Sequence, residues 1–187
     1  MKKLFVFAFA ASLSLVACTD DEAHKTTPVE TGDITKVCIN EVNAIGPNDS
    51  DKFVEFYNAG DKAVSLEGVV IKKTDENGAV EEVWTGLAGE SVPAKGFFVI
   101  QGTKNSLARS LSKGISAKKG VKLECFDAKG QSFASVQHGT PADNSATTIQ
   151  DGIWARIPDG GAWKNVTNQT PGTANDNAGA KDDAELL

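Results

Sequence analysis

An antiparallel all-β domain is what this chain predicts, and three observations predict it. Short runs rich in Val, Ile, Phe and Tyr recur through residues 36–157, each bounded by Gly, Pro, Asn or Asp. Two of the intervening turns carry hairpin chemistry, Asn77-Gly78 and the Asp127-Ala128-Lys129-Gly130 stretch. Only residues 106–113 have the character of a short helix. About eight short strands with regular turns read as an antiparallel sandwich or barrel in a single domain.

The elements follow in order. Residues 36–42 form the first strand, rich in Val and Ile, and an Asn/Asp/Gly/Pro loop leads to residues 53–57. In that second strand alternation places Val54 and Phe56 on the core face and Phe53, Glu55 and Tyr57 on the other. The Asn58-Ala59-Gly60-Asp61 turn precedes a run at 64–73, and the Asn-Gly turn returns the chain through 80–84. A Pro93-Ala94-Lys95-Gly96 turn introduces residues 97–100. Residues 121–126 and 132–136 flank the second hairpin turn, and residues 153–157 close the set. Trp154 and Trp163 bracket a Pro-Asp-Gly-Gly turn, where aromatics seal the end of a sandwich or, if exposed, stack on a ligand. Arg156 between them can pair with an acid or lie over an indole.

Four separated blocks, in the right order, resemble the lamin-tail domain family. They are Ile39-Asn40-Glu41-Val42-Asn43 with residues 51–58, then Val64-Ser65-Leu66-Glu67-Gly68, then residues 154–163, and finally Thr170-Pro171-Gly172-Thr173-Ala174-Asn175. The resemblance spans residues 35–176. It implies an immunoglobulin-like β-sandwich that serves as an interaction module, and bacterial members accompany nucleases or other hydrolases in longer chains. Within the blocks Glu41, Asp51, Glu55, Trp154, Arg156 and Trp163 form the candidate binding or structural signature. Glu41 and Glu55 are candidates for fixed interactions with backbone donors or with Arg156.

The N-terminus carries an address. Lys2 and Lys3 precede an apolar run that ends in Leu15-Val16-Ala17-Cys18. A basic start, a short apolar core and small residues before a cut site describe a secretory signal over residues 1–17. The run is shorter than the roughly 20 residues a bilayer-spanning helix needs. Leu-Val-Ala-Cys resembles the lipobox of bacterial lipoproteins, which implies acylation of Cys18, palmitate included. Each buried methylene adds about 0.8 kcal/mol of membrane affinity, so two or three chains would anchor the protein durably. Asp20, Asp21 and Glu22 then resemble the acidic export signal of surface lipoproteins in Bacteroidetes; a periplasm-facing location is the alternative. Residues 18–34 are polar and read as a flexible tether, and residues 177–187, small and acidic, read as a disordered tail.

Charge and cysteines narrow the function classes. The chain has 19 basic and 25 acidic residues. An acidic domain lacks the electrostatic footprint of a general nucleic-acid binder. Lys113, Lys118, Lys119 and Lys122 read as a solvated face. Outside the cytoplasm Cys38 and Cys125 can form a disulfide, worth about 4 kcal/mol for so long a loop; alternatively each is a small buried hydrophobe in its strand. Two cysteines without histidines at ligand spacing do not make a zinc site.

Sites of reaction chemistry are sparse in the sequence. His138 sits in a Gln-His-Gly-Thr-Pro turn without a designated nucleophile. Ser110-Leu111-Ser112-Lys113 has Ser-x-x-Lys spacing but lacks the partner motifs and larger scaffold of penicillin-recognising enzymes. Asn48-Asp49-Ser50-Asp51 clusters oxygens without the spacing of a calcium loop and reads as a turn. No cofactor motif or metal set stands out. The expectation is a membrane-anchored, non-catalytic binding or scaffolding module with an unknown protein or polymer ligand. Its competitors are a hydrolase or nuclease subunit, which needs Glu41, Asp51 and Glu55 grouped in a cleft, and a structural or adhesion module.

Overall fold

The computed structural model describes residues 31–103, 109–149 and 152–187. Cys18, the leader and most of the expected tether lie outside the described residues. Eleven strands are defined among those described: β1 Val37–Asn43, β2 Phe53–Asn58, β3 Val64–Ser65, β4 Val70–Thr74, β5 Val80–Thr85, β6 Ser91–Val92, β7 Phe97–Gln101, β8 Val121–Phe126, β9 Ser132–His138, β10 Ile153–Ile157 and β11 Ala162–Val166. A five-stranded sheet in the order β11-β10-β1-β2-β7 packs on a four-stranded sheet in the order β5-β4-β8-β9, and β3 pairs with β6 separately. Every strand pair is antiparallel.

The core fills the space between the two sheets. Val37, Ile39, Val42, Val54, Phe56, Phe98, Ile100 and Trp154 come from the larger sheet, and Ile71, Val83, Trp84, Leu123, Cys125 and Val136 from the smaller. Phe56 meets Trp84 edge-on, with ring centroids 6.2 Å apart.

Three details depart from the sequence reading. The run at 64–73 is two elements, because Gly68 turns the chain at a φ of +74°, a conformation that favours glycine. Residues 109–113 carry no helix: Ser110 instead forms a parallel bridge with Gln101 on the β7 edge; the first part of the expected helix lies outside the described residues. The C-terminal residues are docked rather than frayed. Lys181 bridges Asn165 and Leu186 bridges His138, and Leu186 reaches the core with 8% of its surface exposed.

The disulfide does not form either: Cys38 and Cys125 are both free. Alternation along β1 turns Cys38 to the outer face of its sheet, opposite Tyr57, whereas Cys125 is fully buried in the core. Thiols on opposite sides of a sheet cannot meet the short separation a disulfide requires. Burial pushes both thiols above their ordinary range.

Candidate functional site

A bulge in β1 brings three buried polar side chains, Asn40, Glu41 and Glu55, together. Val37 and Ile39 face the core, so strict alternation would send Glu41 inward as well. The β1–β2 register instead shifts between Ile39 and Glu41. Asn40 is the extra residue, Glu41 turns to the outer face, and Val42 takes the core position. Across the ladder Glu41 pairs with Glu55, whose strand has Val54 and Phe56 in the core. Two carboxylates thus stand side by side on the outer face of the larger sheet.

Neither is exposed, because the segment following β11 crosses over them. Thr170 donates its backbone N–H to both oxygens of Glu41, at 2.9 and 3.2 Å, and its Oγ1 lies 3.0 Å from Glu41 Oε2. Gly172 donates its N–H to Glu55 Oε2 at 2.6 Å, and Asn40 Nδ2 donates to Glu55 Oε1 at 3.2 Å. Between those anchors Thr170-Pro171-Gly172-Thr173 closes a turn with Thr173 N–H on the Thr170 carbonyl at 3.0 Å. Proline at the second position and glycine at a φ of +82° at the third make it type II.

Asn40 is the hub of this cluster. Its Nδ2 also reaches Asp159 Oδ1 at 3.0 Å, and its Oδ1 accepts the Gly160 N–H at 3.0 Å. Asn175 finishes the strap, donating Nδ2 to the carbonyls of Asn40 and Arg156 and its N–H to Asp159 Oδ1. Burial raises the pKa of Glu55 to about 8, against the lowering effect of its Gly172 and Asn40 donors, with Glu41 and Asp159 adding repulsion. Burial likewise raises that of Glu41, opposed by Thr170.

The other residues singled out in the sequence lie elsewhere. Asp51 sits in the turn before β2, where its carboxylate accepts from Asn48 Nδ2 at 3.1 Å and its carbonyl from Asn43 Nδ2 at 3.1 Å. Among the described residues no group of three His, Cys, Asp or Glu is placed to hold a metal ion. Trp154 is buried in the core and stacks on His138 with centroids 4.7 Å apart. Arg156 lies 4.5 Å over the Trp163 ring and donates to the carbonyls of Ile39 and Gly161 at 2.9 and 2.7 Å rather than to an acid. His138 is the end of a strand, not a loop residue, and its Nε2 lies 3.1 Å from Asp183 Oδ2. Of the lysines read as a solvated face, Lys113 approaches Glu81, Lys122 approaches Glu124, and Lys119 pairs with Asn144.

The arrangement is chemically a clamp. Glu41 and Glu55 stand out in the sequence as candidate acids; their partners Asn40, Asp159, Thr170, Gly172 and Asn175 fall in the same blocks of resemblance, up to 135 residues apart, and only the fold pairs them with the acids. The Pro171-Gly172 pair was the one local signal, since it demands a type II turn. With the strap seated, neither carboxylate can meet a substrate. Beside the clamp a cleft of about 520 Å³ opens, with Asn43, Thr167, Asn168 and Gln169 around Ile45 and Ile153.

The Lamin Tail Domain family model matches residues 30–184. The chain belongs to the lamin tail domain family. The match covers the clamp and its strap as one unit, and the immunoglobulin-like sandwich of the family is the fold observed. A comparison with curated proteins finds none that matches. Within this lamin tail domain the two acids of the first and second strands hold the closing segment of the same domain.

Proposed function

We propose that this lamin tail domain is a non-catalytic binding or scaffolding module, tethered to the bacterial envelope through acylated Cys18 and displayed at the cell surface. The observation that carries the non-catalytic part is the clamp: Glu41 and Glu55 are both fully buried and engaged by Thr170, Gly172 and Asn40. A hydrolase reading needs those carboxylates open to a cleft with Asp51, which lies in a separate turn. Membership in a family of immunoglobulin-like interaction modules supports the binding part. The Cys18 motif and the acidic Asp20-Asp21-Glu22 stretch support the anchor and its outward orientation. The loops around the Asn43–Gln169 cleft offer a polar surface at one end of the sandwich for an unidentified protein or polymer ligand.

The test is made in cells. Metabolic labelling with an alkyne palmitate analogue should tag the wild type and not Cys18→Ala. Protease added to intact cells should then remove the domain. Unlabelled wild-type protein would overturn the anchor, and a domain that survives until lysis would overturn surface display. Crosslinking on intact cells that recovers no partner would count against a binding role.

A further inference from the structure

We propose that the ledge formed by the outer edges of β9 and β11 is a strand-addition site that accepts the C-terminal segment of a second copy of this chain. β11 is the last strand of the five-stranded sheet and β9 the last of the four-stranded one, and Trp154 stacked on His138 ties the two sheets together on that side. Edge strands present unpaired backbone donors and acceptors, which is how one chain recruits another. Here residues 181–187 of the same chain pair with each edge at an isolated bridge. Lys181 exchanges both backbone hydrogen bonds with Asn165 at 2.8 and 2.9 Å, a turn at residues 183–186 redirects the chain, and Leu187 exchanges both with Gln137 at 2.8 Å. Gly139 adds a bond to the Glu185 carbonyl at 2.8 Å.

The seat reads side chains as well as backbone. Asp183, with 3% of its side chain exposed, faces His138 Nε2 at 3.1 Å and accepts from Asn165 Nδ2 at 3.2 Å. The second imidazole nitrogen of His138, Nδ1, is buried without a hydrogen-bond partner among the described residues, so this ring's one polar contact comes from the C-terminal segment. Leu186 fills a place in the core cluster, and Glu185 takes the Thr148 N–H on both carboxylate oxygens at 3.0 and 3.1 Å. The seat therefore selects an acid followed three residues later by an aliphatic side chain. A second copy supplies that spacing by identity.

The connection permits exchange. Asn175 is fixed by Asn40 and Arg156, and beyond it the chain turns through Gly179, at a φ of +73°, before Ala180. Opening that turn carries the segment to a neighbouring molecule with every seat contact retained, the low-cost route to a dimer. The inference does not need the tether or a ligand. Its test runs in solution on the chain itself, so its failure leaves the tethered-module reading standing.

Deleting Asn177, Ala178 and Gly179 cuts the connection between the anchored Asn175 and Lys181 from five residues to two, which on this proposal favours seating on a neighbouring molecule over the chain's own seat. Light scattering during gel filtration should then show a dimer, returned to monomer by excess synthetic peptide of residues 180–187. Adding Asp183→Ala and Leu186→Ala to the shortened chain should abolish the dimer, because each removes a contact whose loss weakens binding about tenfold or more. A monomer, or a dimer indifferent to those substitutions and to the peptide, overturns the proposal. If the shortened chain does not fold, amide exchange in the wild type decides. Gln137 and Gly139 should exchange through an opening far smaller than global unfolding. Exchange at those amides only with the core overturns it.

Discussion

Raising the pH from 5 to 9 should loosen this domain, and the effect should trace to Glu55. Its pKa is raised to about 8 from an ordinary value of 4.5, first by burial. The folded chain therefore keeps a proton on Glu55 that the unfolded chain releases above pH 4.5. By linkage this contribution is fully present below pH 4.5 and is lost as pH climbs through about 8. At about 1.4 kcal/mol per pH unit, the gap between the two values sets a ceiling of about 5 kcal/mol. Glu41, raised in the same direction, adds to the slope. Glu55→Gln removes the titrating group. A neutral amide cannot satisfy the Gly172 and Asn40 donors together, which costs about 1–3 kcal/mol at low pH. Its stability curve should nonetheless run flatter and meet or cross that of the wild type near pH 9. Urea unfolding followed by the fluorescence of Trp84, Trp154 and Trp163 at intervals of one pH unit measures both curves. A flat wild-type profile, or a Glu55→Gln profile parallel to it, would refute the reasoning.

Three further outcomes follow from the same geometry. Gly172→Ala forces an L side chain into a φ of +82° with no atom within 4 Å of the new methyl, so its cost is conformational, about 1 kcal/mol by chemical denaturation. Arg156→Lys keeps the charge but loses the planar group that lies over Trp163 and reaches two carbonyls, and should lower stability by about 1–3 kcal/mol. In native protein without the leader, mass spectrometry after alkylation under non-reducing conditions should find Cys38 modified slowly and Cys125 only after unfolding; recovery of a Cys38–Cys125 crosslink would contradict the assigned faces.

Much of the sandwich is readable from local chemistry. Asn77-Gly78 and residues 127–130 form the turns their residues demand, with Gly78 and Gly130 both at a φ of +78°. The alternation of β2 places Val54 and Phe56 as expected. What escapes local reading depends on distant partners. β6 is two residues long, and β11 mixes Trp163 with Lys164 and Asn165, so neither has a clear period. The β1 bulge is invisible until Thr170 and Glu55 give Glu41 and Asn40 their places. The C-terminal segment looks featureless because two residues decide it: Asp183 answers His138, 45 positions away, and Leu186 answers the core. Glu41 and Glu55 stand out in the sequence as acids in a β pattern; whether such acids catalyse or clamp is decided by what covers them.

Amide hydrogen exchange at Thr170 and Gly172 tests the clamp most directly, measured at pH 6 in the wild type and in Glu41→Gln and Glu55→Gln. If the acids hold the strap, both amides are protected in the wild type. Protection at Thr170 then falls in the first variant and protection at Gly172 in the second, with core amides such as Ile71 unchanged. Amides that exchange freely in the wild type, or protection indifferent to both substitutions, would contradict the account.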